Sequence, residues 1–157
     1  MGKIRIFPED KDRWVISTSL TNWILDNIVG TGKPLDGKNP MQQTSIVKNY
    51  FRAFSQEFNK EWIDRENYMI TQSQGIQIIC ALFRNVHQRC IMYENGILDI
   101  ESFRRQINKL KEVTIDLPTG QNLKITWLKN IFSPLTSGRS MQIVIRTILK
   151  NYPPYDE

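Results

Sequence analysis

The sequence has little of the chemistry from which metal centres and disulfide frameworks are built, since it contains two cysteines and one histidine among 157 residues. A mononuclear zinc site draws on three or four Cys, His or carboxylate ligands, and His87 has no such set nearby in the sequence. Cys80 and Cys90 flank a helix-like segment that would hold their Cα atoms about 15 Å apart, too far for a disulfide. We therefore predict two reduced thiols, a surface histidine on a helix, and neither a metal nor a cofactor.

The sequence also has no long apolar run. No segment approaches the ~20 apolar residues that cross a bilayer, and the start, "MGKIRIFPEDKDRW", has no apolar middle of the kind found in signal peptides. We expect a soluble, cytoplasmic protein with no membrane partner. The abrupt start also fits a domain excised from a longer protein.

Recognisable catalytic motifs are missing too. The stretch "NIVGTGKPLDGK", residues 27–38, suggests a phosphate-binding loop, but such a loop needs a glycine five residues before Gly32 and a hydroxyl residue after Lys33. Asn27 and Pro34 stand there instead. No "GxSxG" elbow supports a serine nucleophile. We therefore predict no nucleotide binding at this loop and no enzymatic activity.

The residues that are present indicate a packed, mainly helical protein. The length suits one domain, and 40% apolar residues suffice for a core. Helical spacing of apolar residues predicts helices over 17–29, starting near Ser17 or Ser19, and over 44–62, 71–86, 99–110 and 139–151. Residues 30–41, rich in Gly, Pro, Asp and Asn, are predicted to form a long surface loop. The predicted contiguous core contains Phe51, Phe54, Phe58, Trp62, Ile79, Leu82, Val144 and Ile148.

The apolar period changes to two between the fourth and the last helix. Val113, Ile115 and Leu117 alternate with polar residues, "PTGQ" supplies a turn, and the alternation resumes at Leu123, Ile125 and Trp127. This pattern predicts a β-hairpin. The fold class predicted for residues 1–157 is therefore α+β, a mainly α-helical single domain with one β-hairpin.

A net charge of +5 mildly favours polyanion partners. On the last predicted helix, Arg146 and Lys150 each lie within about 20° of Arg139, opposite the apolar side. Such a ridge can contact a phosphate backbone, or it can simply be a solvated surface. Arg105 and Lys109, one helical turn apart, would extend the basic surface if the fold brings them close.

The segment before the last helix is a candidate anion site. Hydroxyls and backbone amides at a helix start bind anions readily, and the segment "SPLTSGRSMQ" combines them with an arginine. The candidate residues are Ser137, Gly138, Arg139 and Ser140. An ordinary capped helix preceded by a glycine turn explains the same residues.

The order of features over residues 45–150 resembles the C-terminal helical half of the DGQHR-domain family. The stretches "KNYFRAFSQEFNKEW", "YMITQSQGIQIICALFRNV" and "IFSPLTSGRSMQIVIRTIL" correspond to an aromatic helix ending near Trp62, a Thr71-to-Gly75 stretch with an apolar helix, and a Ser/Gly-rich start at Ser137 and Gly138. The motif that names the family is absent: "NVHQRC", residues 85–90, lacks its Asp-Gly pair. The resemblance implies a fragment without the ParB-like N-terminal part, to which no catalytic residue carries over.

The resemblance also implies a bacterial or phage setting around DNA modification and defence. We therefore expect a DNA-associated regulatory or accessory module that binds the phosphate backbone through the basic helix face and works alongside other protein subunits. The alternative is a protein–protein interaction domain with no nucleic-acid or catalytic role, and an enzyme ranks third.

Overall fold

The computed structural model describes residues 3–5, 14–116, 120–136 and 140–152, with only the backbone described for 3–5 and 14–18. Two short strands, β1 (Lys3–Arg5) and β2 (Trp14–Ile16), pair antiparallel with Ile4 opposite Val15. This pair was not predicted from the sequence. Helix α1 (Ser17–Asn27) follows β2 directly, so Ser19 lies inside the helix and not at its cap.

The predicted surface loop of residues 30–41 needs two corrections. Leu35 is fully buried, and its backbone N–H donates to the carbonyl of Ile28. Helix α2 (Pro40–Glu57) begins inside the predicted loop, because Asn39 and Gln42 form a capping box and Pro40 occupies the first helical turn. The turn-forming residues at 39 and 40 therefore start a helix.

The predicted aromatic helix of residues 44–62 is two helices. Helix α2 ends at Glu57, Phe58 leaves the helical conformation, and α3 (Asn59–Ile63) follows. The aromatic side chains stay on one side across this break. Phe51, Phe54, Phe58 and Trp62 are all buried, so the predicted apolar face is confirmed although the helix is interrupted.

Helix α4 (Ser73–Tyr93) is the central element, and ten of its residues are buried. It packs against α1, α5 (Ile100–Asn108) and α7 (Ser140–Asn151). Burial on several sides was predicted from the apolar residues spread around this helix. Asp99 caps α5 through the N–H of Ser102, and a 3-10 turn (Lys109–Glu112) continues it.

The predicted hairpin is confirmed. Strands β3 (Thr114–Asp116) and β4 (Asn122–Lys124) pair antiparallel with Ile115 opposite Leu123. Ile115, Ile125 and Trp127 are buried, as the alternation predicted, while Leu117 lies outside the described residues. Helix α6 (Lys129–Phe132) and a 3-10 turn (Pro134–Thr136) lead towards α7.

The fold is mainly helical α+β, as predicted, with a single cluster of buried apolar residues among those described. All eight residues of the predicted core belong to this cluster. Tyr50 lies among four aromatic rings, with ring centroids 4.8 Å from Phe83 and 5.1 Å from Phe54. Its hydroxyl donates to the carbonyl of Ile79 at 2.7 Å, so this buried polar group is satisfied.

Candidate nucleic-acid interface

Helix α7 has one buried side and one exposed side. Met141, Val144, Ile145 and Ile148 are buried. Arg146 and Lys150 lie four residues apart on the opposite side, and both are exposed. Among the described residues, no carboxylate forms an ion pair with either of them. The third cation of the predicted ridge, Arg139, lies outside the described residues.

Arg105 differs from these cations because its guanidinium holds a carboxylate. Its Nη2 lies 2.6 Å from Oε2 of Glu94, and its Nε lies 3.0 and 3.1 Å from the two Glu94 oxygens. The hydrogen bonds from Arg105 lower the pKa of Glu94 from its ordinary value, and Gln106 adds a further hydrogen bond at 2.7 Å. A phosphate would have to displace Glu94 to bind the Arg105 guanidinium.

Lys109 is exposed at the C-terminal end of α5. It lines a surface pocket of about 500 Å³ together with the carboxylates of Glu57, Glu94 and Glu101. These acids make the surroundings of Lys109 mixed in charge, and a phosphate bound there would meet like charge. Lys109 and Arg105 therefore contribute less to a basic surface than their sequence spacing indicates.

A further cation, Lys124, lies close to the end of α7 and was missed in the sequence. Asn151, next to Lys150, donates its side-chain amide to the carbonyl of Thr114 at 2.6 Å. Thr114 pairs with Lys124 across the hairpin, and Lys124 is exposed. The alternation in β4 does predict that Lys124 is exposed, but its position beside α7 depends on tertiary packing.

Of the candidate anion site, Ser137, Gly138 and Arg139 lie outside the described residues. Ser140 is the first residue of α7 and lines a narrow groove of about 130 Å³ with Asp116 and Ile143 among its neighbours. The negatively charged carboxylate of Asp116 repels an anion in this groove. The described part of the site therefore adds nothing that favours a phosphate there.

The glycine-rich loop after α1 already binds a carboxylate of its own. The N–H of Gly32 donates to Oδ2 of Asp36 at 2.8 Å, and Nη2 of Arg84 donates to the carbonyl of Gly32 at 3.2 Å. Gly30 and Gly32 have φ angles of 107° and 72°, which glycine adopts without strain. The backbone N–H of Gly32 is thus already hydrogen-bonded within the loop.

The residues that could have carried nucleophilic or metal chemistry are buried or half-buried. Burial raises the pKa of the Cys80 and Cys90 thiols to about 12, which keeps both protonated and unreactive. His87 is half-buried and stacks on Phe83, so it is less exposed than the predicted surface histidine. No group of three or more His, Cys, Asp or Glu residues that could hold a metal occurs within the described ranges.

Comparisons with family models, with curated proteins and with solved structures return no significant match to this chain. Among the described helices, none is both long and apolar enough to cross a membrane.

Proposed function

We propose that this chain is a DNA-associated regulatory or accessory module that contacts the phosphate backbone through the outer face of α7. The observation that carries the proposal is the exposure of Arg146 and Lys150, which no described carboxylate neutralises. A lysine or arginine that neutralises a phosphate releases a counterion condensed on the nucleic acid, and a cation already paired with a carboxylate is not available for this contact. Arg104, Arg105 and Lys111, by contrast, are paired with glutamates.

Lys124 is proposed to extend this surface at the C-terminal end of α7, because it pairs with Thr114, whose carbonyl accepts from Asn151 of α7, and Arg139 is its proposed N-terminal member. The contacts are proposed to be independent of base sequence, since cations on phosphates position a protein without reading bases. The proposed setting is the cytoplasm of a bacterium or phage-infected cell, in DNA modification or defence, on the basis of the resemblance to the DGQHR-domain family. Catalysis is assigned to other subunits.

The experiment is a binding titration with two fluorescein-labelled duplexes of unrelated sequence, read by fluorescence anisotropy. Wild type is compared with Arg146→Ala/Lys150→Ala and with a control, Lys48→Ala/Lys60→Ala, which removes the same charge from exposed positions on α2 and α3. At about 0.1 M salt the α7 variant should lose one to two orders of magnitude in affinity for both duplexes, as expected for about two lost phosphate contacts. The control should lose much less.

Equal losses in the two variants would mean that net charge, and not α7, determines binding. Absence of binding by the wild-type protein at low salt would contradict the proposal and favour the protein–protein interaction domain.

A further inference from the structure

The C-terminal half of α4 and the turn that follows it leave apolar side chains in solvent. Ile91, Met92 and Ile97 are 50%, 58% and 52% exposed, and Tyr93 is 36% exposed. Single exposed apolar residues are normal on a protein surface, whereas a group of them marks an interaction site. The other large apolar residues found exposed within the described ranges are isolated in sequence: Leu25, Met41, Ile63, Ile131 and Ile143.

A pocket of about 400 Å³ lies beside this apolar group. One wall is Pro34 from the loop after α1, and the rest is one face of α4. The α4 residues follow the three- and four-residue spacing of a helix face: Arg84, His87, Gln88, Ile91 and Met92. Its volume is within the range of pockets that hold a ligand or a few side chains of a partner.

The charge around the pocket is positive. Arg84 is exposed, and its one hydrogen bond among the described residues, to the carbonyl of Gly32, leaves most of its N–H groups available. No carboxylate lines the pocket. Asp36, in the loop that contains Pro34, is not among the lining residues, and its carboxylate accepts a hydrogen bond from the N–H of Gly32. Burial lowers the pKa of His87, and the nearby charges of Lys38 and Arg84 lower it further.

We propose that this pocket docks a short amphipathic segment of a partner protein, with apolar side chains over Ile91 and Met92 and a carboxylate paired with Arg84. An apolar floor with a cationic rim complements a segment that is apolar on one side and acidic on the other. The exposed apolar side chains favour a protein over a nucleic acid as the occupant. Because this surface is on α4 and the basic ridge is on α7, the chain could hold DNA and a partner protein at once.

The probes are three fluorescein-labelled synthetic helical peptides of equal length with the same leucine face. Their polar faces are made of Glu, Gln or Lys. The Glu peptide should bind the full chain tightest, by about tenfold over the Gln peptide, a difference that one favourable ion pair in a partly covered site can supply.

Two variants and one matched control locate the binding site. Met92→Asp should weaken binding of the Glu peptide about tenfold or more, and Arg84→Glu should abolish the preference for Glu over Gln. Met41→Asp makes the same change as Met92→Asp at an 83% exposed methionine on α2, and it should leave binding unchanged. Thermal melts of all three variants check that each one is folded.

Several results would overturn the proposal. One is equal binding of the three peptides, or tightest binding of the Lys peptide. Another is the same effect of Met92→Asp and Met41→Asp. Displacement of the peptide by duplex DNA would assign the pocket to nucleic acid, and a dimer of the wild-type chain that Met92→Asp dissociates would assign it to a second copy.

Discussion

At the scale of single residues, the fold leaves no room for a side chain at Gly75, the last residue of the Thr71-to-Gly75 stretch. The backbone just before α4 folds back over the first turn of that helix. A Cβ on Gly75 would lie 2.4 Å from the carbonyl oxygens of both Met69 and Ile70, which no real contact allows. The need for glycine here is therefore one of space, since Gly75 does not have a positive φ angle.

We expect Gly75→Ala to destabilise the protein by about 2 kcal/mol or more, because overpacking outweighs the helix propensity that alanine gains. Urea denaturation measures the free energy of unfolding. Ser73→Ala, at an exposed position in the same turn, is the control and should change it by less than about 0.5 kcal/mol. Equal stability of Gly75→Ala and wild type would show that the backbone of residues 69–70 can move away.

At the scale of elements, the hydrogen bonds and ion pairs of two glutamates connect neighbouring helices. Glu94 follows α4 and binds Arg105 and Gln106 of α5. Glu57, at the end of α2, accepts from Asn108 at 2.8 Å and from Lys111 at 3.3 Å. Each glutamate connects one helix to the α5 region. The charges of these glutamates and of their partners therefore orient helices and are not available to a ligand.

Glu94→Gln is expected to lower stability at neutral pH and to have less effect in acid. The pKa of Glu94 is lowered in the folded protein, mainly by the hydrogen bonds of Arg105, so the folded state holds fewer protons at this site than the unfolded state. The stabilisation is therefore complete above the ordinary value of 4.5 and is lost as the pH falls through the lowered value.

Urea denaturation at pH 7 and at about pH 3 tests this dependence. The difference between Glu94→Gln and wild type should shrink at the lower pH. Glu112→Gln, at an exposed glutamate with no ion pair among the described residues, is the matched control and should show no such trend. A difference that stays constant with pH would mean that the Glu94 carboxylate does not stabilise the fold through its charge.

At the scale of the whole molecule, aromatic packing connects α2 to the rest of the core. Phe54 is fully buried and contacts the rings of Tyr50 and Phe58. Phe58 in turn packs on Trp127, which follows the hairpin. The core thus extends from the first half of the chain to the second.

Phe54→Ala should cost about 3–5 kcal/mol of unfolding free energy, as truncation of a buried aromatic side chain generally does. Met41→Ala, on the same helix but 83% exposed, should cost less than about 0.5 kcal/mol. Both values come from urea denaturation. A loss below about 1 kcal/mol for Phe54→Ala would mean that neighbouring side chains fill the cavity left by the ring, or that the ring contributes little to the stability of the core.

The sequence predicts the long helices, the β3–β4 hairpin and the core, because apolar spacing follows directly from the geometry of each element. It does not predict the short helices α3 and α6 or the β1–β2 pair. It does not predict the break at Phe58, since the aromatic spacing continues across it, or the helix start at Pro40, since Asn39 and Pro40 are also turn residues. The partners of charged side chains are less predictable still. Arg105 and Glu94 lie eleven residues apart in different elements, and only the packing of α4 against α5 brings them together.

The measurement that tests the proposed function most directly is the salt dependence of duplex DNA binding. For wild type, the logarithm of the binding constant should fall linearly with the logarithm of salt concentration. In Arg146→Ala/Lys150→Ala the slope should be shallower by about 0.9 for each lost phosphate contact, and the Lys48→Ala/Lys60→Ala control should keep the wild-type slope. An unchanged slope in the α7 variant, or the same change in the control, would contradict phosphate binding by α7.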